Sequence, residues 1–214
     1  MKIKWLGHAA FLITSTSGIR ILTDPYNPGG ELTYRPIRET ADIVTISHGH
    51  FDHGNAAVIA GKPEVIRESG IKITRGITFT GLTTYHDDVM DRQRGSNVVY
   101  IFTVDGMKLL HAGDLGHLPS PQLAEQVGQV DIAMVPTGGT YTIGPAQAWD
   151  FCQQVNARVI LPMHYRTPRV NMPLSGIDDF TKGKPSVKKV DSSEIEVVLD
   201  RLPAQEIVVL KPAY

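Results

Sequence analysis

Residues 47–54 of this chain read Ser-His-Gly-His-Phe-Asp-His-Gly, and no other stretch limits the architecture as tightly. The pattern H-x-H-x-D-H puts His48, His50, Asp52 and His53 directly after the run 42–47, which is largely apolar on both faces. Such a run reads as a strand of a sheet covered on both sides, and sites in α/β proteins form at the carboxyl ends of strands. Side chains of an extended segment alternate. His48 and His50 therefore go to one side, while Asp52 and His53, where a helix is expected to begin, turn to the other. Imidazole and carboxylate suit a zinc-like divalent ion. A loop that fans four such groups towards two neighbouring points suggests a pair of ions, and the fold must then bring further ligands to the same edge.

The rest of the chain holds candidates for them. His86 ends the β-rich run 77–85, Asp114 follows the run 108–111, and His164 follows the run 159–161. Each alone reads as an ordinary hydrogen-bonded residue; beside the 48–53 cluster each reads as a ligand. Thiolates contribute nothing. The single cysteine, Cys152, supports neither an internal disulfide framework nor a multi-thiolate zinc knuckle.

Other short β-rich runs lie at 3–6, 11–14, 19–23, 43–47, 98–104, 132–135, 195–199 and 207–210, against helical patterns at only 55–60, 121–127 and 145–155. Ser120 caps the second helical pattern, and proline opens the third. The polar stretch 181–193 has four lysines and no aromatic residue, so it reads as a solvated loop and not as a linker or a nucleic-acid patch. A boundary there would strand about 20 residues, too few for a core, so 1–214 is expected to form a single domain. With 42% hydrophobic and 20% charged residues the composition is globular. Lys plus Arg (21) against Asp plus Glu (22) leave a net charge of -1, which offers no field for drawing in nucleic acid or an anionic membrane. No apolar run approaches the roughly 18 residues of a membrane span. Gly7 and His8 interrupt the apolar start, and no small-x-small site follows, so 1–13 reads as strands of the mature fold and the protein as cytoplasmic.

Leu6-Gly-His-Ala-Ala-Phe-Leu-Ile13, Leu22-Thr-Asp-Pro25, the 48–53 motif, His86, His111-Ala-Gly-Asp-Leu-Gly-His117, Val135-Pro-Thr-Gly-Gly139 and Leu161-Pro-Met-His164 follow one another through nearly the whole chain. On these motifs the sequence resembles the metallo-β-lactamase superfamily of metal-dependent hydrolases. Within it the chain looks most like the L-ascorbate-6-phosphate lactonase-like group, related to the N-acyl-phosphatidylethanolamine phospholipase D branch. The resemblance implies an α+β fold, a four-layer αββα sandwich with the site along one edge of its two sheets. It implies one metal held by His48, His50 and His86, a second by Asp52, His53 and His164, and Asp114 bridging both. The cofactors would be two divalent ions per chain, zinc first, with manganese, nickel or iron as alternatives. The oxidoreductase branch of the superfamily carries a glutamate at the position of His50, which favours hydrolytic zinc over a redox di-iron centre. Class B β-lactamases often carry a cysteine near the position of Asp114; Cys152 lies in the 145–155 pattern instead, which argues against a role in antibiotic resistance.

The expected activity is hydrolysis by a metal-bridged hydroxide of a small ester-type bond, whether lactone, carboxylic ester or phosphodiester. Asp52 would hold the second metal and orient that hydroxide. No Gly-x-Ser-x-Gly elbow offers a serine nucleophile. Arg92 and Arg94 are candidates for clamping a phosphate or carboxylate, and Gly138 and Gly139 for offering backbone amides to an anion. Three histidines remain. His8, in a Gly-His turn, is placed at the active site as a proton donor to the leaving group or an accessory ligand. His111 is expected to orient a ligand carboxylate, and His117 to make a helix-entry or loop contact. Two alternatives compete. A nuclease of the same superfamily would need gripping arms or an inserted domain, for which 214 residues leave little room. A non-catalytic metal-binding module would be free to lose one of its ligands, and Asp52 is present.

Overall fold

Alternation along the first strands buries both of their faces. Ile3, Trp5, Phe11 and Ile13 turn into one apolar cluster, while Leu6, Ala10 and Leu12 turn into another. Strands of this kind need cover on both sides, and the chain supplies it with a second sheet on one side and long loops on the other. The computed structural model describes residues 1–86, 94–118 and 120–214. Its strands begin with β1 (Lys2–Gly7), β2 (Ala10–Thr14), β3 (Arg20–Thr23), β4 (Ile43–Thr45) and β5 (Glu64–Ile66). They continue with β6 (Gly70–Thr74), β7 (Ile77–Tyr85), β8 (Ser96–Val104), β9 (Met107–His111), β10 (Ile132–Pro136) and β11 (Val159–Met163). β12 (Val187–Lys189), β13 (Glu194–Glu196) and β14 (Glu206–Val209) complete them. The helices are α1 (Pro121–Val127), α2 (Pro145–Gln154) and α3 (Ile177–Thr181). Among the described residues no helix is long and apolar enough to cross a membrane.

Six strands form one mixed sheet in the order β13-β1-β2-β3-β4-β5, and eight form a second in the order β12-β14-β11-β10-β9-β8-β7-β6. Phe79, Tyr100, Phe102, Leu109 and Leu161 of the second sheet meet Trp5, Phe11 and Ile21 of the first. The outer face of the second sheet, with Val99, Leu110 and Ile160, is covered by Leu123 and Val127 of α1, Phe151 of α2 and Phe180 of α3. Over the outer face of the first sheet lie Tyr26, Leu32, Tyr34, Val170 and Leu174, all in irregular chain. The result is an α+β sandwich of two sheets, as expected; helices cover one outer face, and on the other loops stand where the αββα reading places a second helical layer.

Two local expectations need correction, and one helix is not among those expected. The helix expected over 55–60 is one 3-10 turn, Ala56–Val58, in which only Ala56 is buried, so there is no apolar face to sustain more turns. Asn55 does not cap it; its Nδ2 donates to the Tyr26 carbonyl instead. The stretch 181–193 is not wholly loop. Val187–Lys189 pairs with β14 in parallel through its backbone while its side chains stay exposed, which leaves no period-two signal. α3 follows Gly176, whose amide donates to Asp179 Oδ2 at 2.9 Å, a cap invisible to apolar periodicity. The expected helices at 121–127 and 145–155 are present, the first with Ser120 Oγ accepting from the Leu123 amide and the second ending at Gln154.

The ends of β4, β7, β9 and β11 come together at one edge, and hydrogen bonds stitch the two sheets there. The Val98 amide donates to the Ser47 carbonyl at 2.9 Å, and the His164 amide to the His8 carbonyl at 3.2 Å. His111 Nε2 donates to the Ala9 carbonyl at 2.9 Å, and the Tyr100 hydroxyl to the Ile46 carbonyl at 3.2 Å.

Candidate metal centre

Beyond β4 the chain turns sharply, with the amides of His53 and Gly54 both donating to the His50 carbonyl. This turn separates the side chains as alternation requires. The ligand atoms of His48, His50 and His86 lie within 4.8 Å of one another, and so do those of His8, Asp52, His53 and His164. Asp114 stands between the two groups. Its Oδ2 is 3.0 Å from His86 Nε2 and 3.3 Å from His164 Nε2, and its Oδ1 is 3.2 Å from His53 Nε2. Its backbone is fixed by the amide, which donates to Asn97 Oδ1 at 2.9 Å. All seven residues named as ligands from the sequence thus meet at one place.

The far sides of three rings show which nitrogen faces that place. His53 Nδ1 donates to Asp24 Oδ2 at 2.8 Å, and His86 Nδ1 to the Tyr141 carbonyl at 2.9 Å. His48 Nδ1 donates to Ser47 Oγ at 2.9 Å, and Ser47 Oγ donates in turn to Asp24 Oδ2 at 2.5 Å. With the proton on Nδ1, each Nε2 presents a lone pair to the centre. His48 Nε2 and His53 Nε2 are buried there without a hydrogen-bond partner.

The donor set fits divalent cations. Ligand atoms around a tetrahedral ion with bonds of about 2.0–2.1 Å stand about 3.3–3.4 Å apart, and the nitrogen–oxygen separations between Asp52 or Asp114 and His8, His53, His86 or His164 run from 3.0 to 3.6 Å. Burial, aided by His164, pushes His8 down to about 4. Burial and His53 push His48 down to about 3. Both rings are neutral at pH 7, which for His48 is the form a ligand needs. Burial opposes the charge of Asp114, yet His164 and His53 hold its carboxyl well below the usual range. Burial also opposes the charge of His53, yet Asp114 and Asp52 raise it well above the ordinary imidazole value. These carboxylates call for positive charge in the middle of the cluster.

A family model described as a beta-lactamase superfamily domain matches residues 2–164. A UPF0173 metal-dependent hydrolase of Methanobrevibacter smithii is 32% identical over 197 residues, covering 78% of this chain and 82% of the relative. The chain belongs to the metallo-β-lactamase superfamily. It falls among the UPF0173 metal-dependent hydrolases, another of which, from Archaeoglobus fulgidus, is 29% identical and covers 93% of this chain and 95% of its own length. A crystal structure from Thermotoga maritima, of a protein assigned to the same superfamily, superposes with a TM-score of 0.83 at 36% identity, covering 98% of this chain and 97% of that one. A metallo hydrolase from Ignicoccus hospitalis shares the fold at a TM-score of 0.68 and 21% identity, covering 99% of this chain and 95% of that one.

In this metallo-β-lactamase-superfamily hydrolase a cavity of about 340 Å³ opens over the cluster, with His50, Asp52, His86, Asp114 and His164 in its lining. Arg94 lines it as well, with Nη1 donating to the Thr140 carbonyl at 2.9 Å and the guanidinium 5.0 Å from the Tyr141 ring centroid. Arg92 lies outside the described residues. Gly138 and Gly139 are not in the lining. The Gly139 amide donates to the Ile143 carbonyl at 3.3 Å, and a Cβ on Gly138 would stand 2.1 Å from the His164 carbonyl oxygen. Gly138 thus makes room for the loop that carries His164. His8, 1% exposed, has Nε2 3.1 Å from Asp52 Oδ2 and its ring 4.1 Å from that of His164. His111 does not hold a ligand carboxylate. Its Nδ1 accepts from the Gly113 amide at 3.3 Å, and the carboxylate oxygen near it is that of Asp24, at 4.0 Å. His117 makes loop contacts, accepting from the Tyr85 amide and donating to the Leu118 carbonyl.

Sequence reasoning missed Asp24 and Asn97, both fully buried. Asp24 carries a positive φ of 38° and, besides His53 and the Ser47 hydroxyl, takes the Ser47 amide at 2.7 Å. Its signal was Thr-Asp-Pro at the end of a strand run, which matched the family but suggested no role. Asn97 offered none, since it stands just before the β-rich run 98–104, in what folds as the start of β8.

Proposed function

We propose that this hydrolase binds two divalent cations, zinc first among them, and cleaves a small ester-type bond: a lactone, a carboxylic ester or a phosphodiester. The observation that carries the reading is Asp114, whose two oxygens contact His86 on one side and His53 on the other, so one carboxylate serves both ligand groups. His48, His50 and His86 would hold one cation, and Asp52, His53 and His164 the other. When bound, divalent cations supply Lewis-acid polarisation of a carbonyl or phosphoryl oxygen and activation of water near neutral pH. The chain supplies the placement. Asp52 reaches the cavity and orients the attacking water, while His8 Nε2 donates to Asp52 Oδ2 and fixes that carboxylate. Among the described residues that line the cavity His8 does not appear, which favours this holding role over proton donation to a leaving group. Arg94, at the cavity wall, meets an anionic group of the substrate. The chemistry suits a cytoplasmic enzyme of small metabolites, in keeping with the resemblance of the sequence motifs to the lactonase-like group.

Elemental analysis combined with a hydrolysis screen tests the reading. The purified protein, supplied with zinc or manganese, should carry close to two equivalents and hydrolyse members of a set of lactones, carboxylic esters and phosphodiesters. Asp114→Ala should lose metal, and Asp52→Ala should lose about 100-fold or more in turnover with its circular dichroism intact. Metal content near zero in the supplemented wild type, or Asp52→Ala turning over at the wild-type rate, refutes the proposal.

A further inference from the structure

Phe51 stands out against every other aromatic residue of the chain. Among the described residues it is the only phenylalanine, tyrosine or tryptophan in exposed surroundings, at 49% exposure. Its place is fixed from both sides. His50 and Asp52 flank it within the ligand turn, and its carbonyl accepts from the Asn27 amide at 2.9 Å. An aromatic ring held in water at the mouth of a cavity gains free energy when an apolar surface covers it.

The same cavity offers a second apolar wall. Met172 lines it, and a methionine thioether adapts its shape to whatever hydrocarbon it meets. The segment that carries Met172 is preformed: the Asn171 amide donates to the Glu31 carbonyl at 2.9 Å, the Leu174 amide to the Met172 carbonyl at 2.8 Å, and Thr140 Oγ1 to the Pro173 carbonyl at 2.7 Å. Glu31 and Arg94 also line the cavity, so its polar groups stand apart from the two apolar side chains. A volume of about 340 Å³ lies at the small end of ligand sites.

We propose that Phe51 and Met172 form an apolar wall that selects substrates with a short hydrocarbon or aryl group beside the scissile bond, in preference to bare polyhydroxylated sugar esters. The inference rests on the reading that the His/Asp floor of the cavity binds the scissile group. Phe51 is then a specificity residue: it sets which group lies next to the reacting bond and takes no part in the bond change.

Binding of n-alkylphosphonates, from methyl to hexyl, to the metal-loaded protein by isothermal titration calorimetry tests this without relying on turnover. Each added methylene should tighten binding about fourfold until the wall is covered. Phe51→Ala should flatten that dependence to less than about twofold per methylene, Phe51→Leu should keep more of it, and Met172→Ser should lose part of it. Phe51 is half exposed, so its substitutions spare the core; Met172 is buried in the cluster over the first sheet, so Met172→Ser is compared only after circular dichroism shows the fold intact. Phosphonates that bind with no dependence on chain length, or a slope unchanged in Phe51→Ala, overturn this inference and leave the two-cation reading standing. Failure of every phosphonate to bind the metal-loaded protein overturns both.

Discussion

Replacing Asp24 with asparagine should weaken metal binding although Asp24 is not among the proposed ligands. The carboxylate is fully buried and accepts from the Ser47 amide at 2.7 Å, the Ser47 hydroxyl at 2.5 Å and His53 Nδ1 at 2.8 Å. Asparagine keeps one acceptor oxygen. If that oxygen stays on the Ser47 amide, the amide nitrogen faces His53 Nδ1 and can be satisfied only if the ring moves its proton to Nε2, where the lone pair for the cation should be. A hydrogen bond to a charged group is worth about 1.5–3 kcal/mol, which corresponds to about 10- to 160-fold in a binding constant. Loss of an outer partner of a ligating histidine falls in the range of about 10- to 100-fold. Backbone strain does not confuse the comparison, because asparagine tolerates the left-handed conformation that Asp24 adopts at φ 38°. Competition with a chromophoric chelator measures the affinity, and circular dichroism verifies the fold. Asp24→Asn that binds zinc within twofold of wild type refutes the argument. Asp24→Ala is a poorer test, since it leaves three buried donors unpaired at about 1–3 kcal/mol each, enough to threaten folding itself.

Other outcomes follow from neighbouring contacts. His8→Ala should weaken one cation by about 10- to 100-fold, whereas His8→Gln, which keeps a donor near Nε2, should recover most of the loss; equal loss in both variants would make His8 a ligand and not the partner of Asp52. Gly138→Ala should lower stability by about 1–3 kcal/mol, read as a fall in Tm, because the added Cβ meets the His164 carbonyl and the backbone must give way. Cys152 is fully buried, and burial pushes its thiol up, so Ellman's reagent should find no thiol in the native protein and one after denaturation. Chelation should lower Tm, since cations present at 100 times their dissociation constant add about 2.7 kcal/mol to the folded state; a Tm indifferent to chelator would count against metal bound in the native protein.

The sequence made legible what depends on local pattern. Val44 and Ile46 precede the 48–53 cluster, and that juxtaposition alone placed the site at a strand end. His86, Asp114 and His164 followed because each closes a β-rich run. What it hid depends on neighbours distant in the chain. Asp24 acquires its role only when β3 and β4 pair in parallel and bring it beside Ser47, 23 residues on. The contact of His8 with Asp52 spans 44 residues. β12 leaves no hydrophobic pattern because only its backbone takes part. Gly138 reads as an anion binder because a Gly-Gly pair looks the same whether or not the approach of a distant carbonyl, here that of His164, is what requires the glycine.

The centre belongs to neither sheet. His8, Asp24 and the 48–53 turn come from the ends of the first sheet's strands; His86, Asp114 and His164 come from those of the second. Asp114 reaches His53 only while the sheets are packed face to face, and the sheets are held in that register at this edge by the His111 to Ala9, Val98 to Ser47 and His164 to His8 hydrogen bonds. Functional groups need placement within about 0.5 Å, and here the candidate ligands sit in short hydrogen-bonded turns that follow strands of the two sheets. The same arrangement has an energetic consequence. Cations that take ligands from both sheets bind the packed state and not the unfolded chain, so their binding free energy becomes folding free energy. His111 therefore serves the centre without touching a cation or a ligand carboxylate: by tying β9 to the turn after β1, it holds the half of the site that carries Asp114 against the half that carries His53.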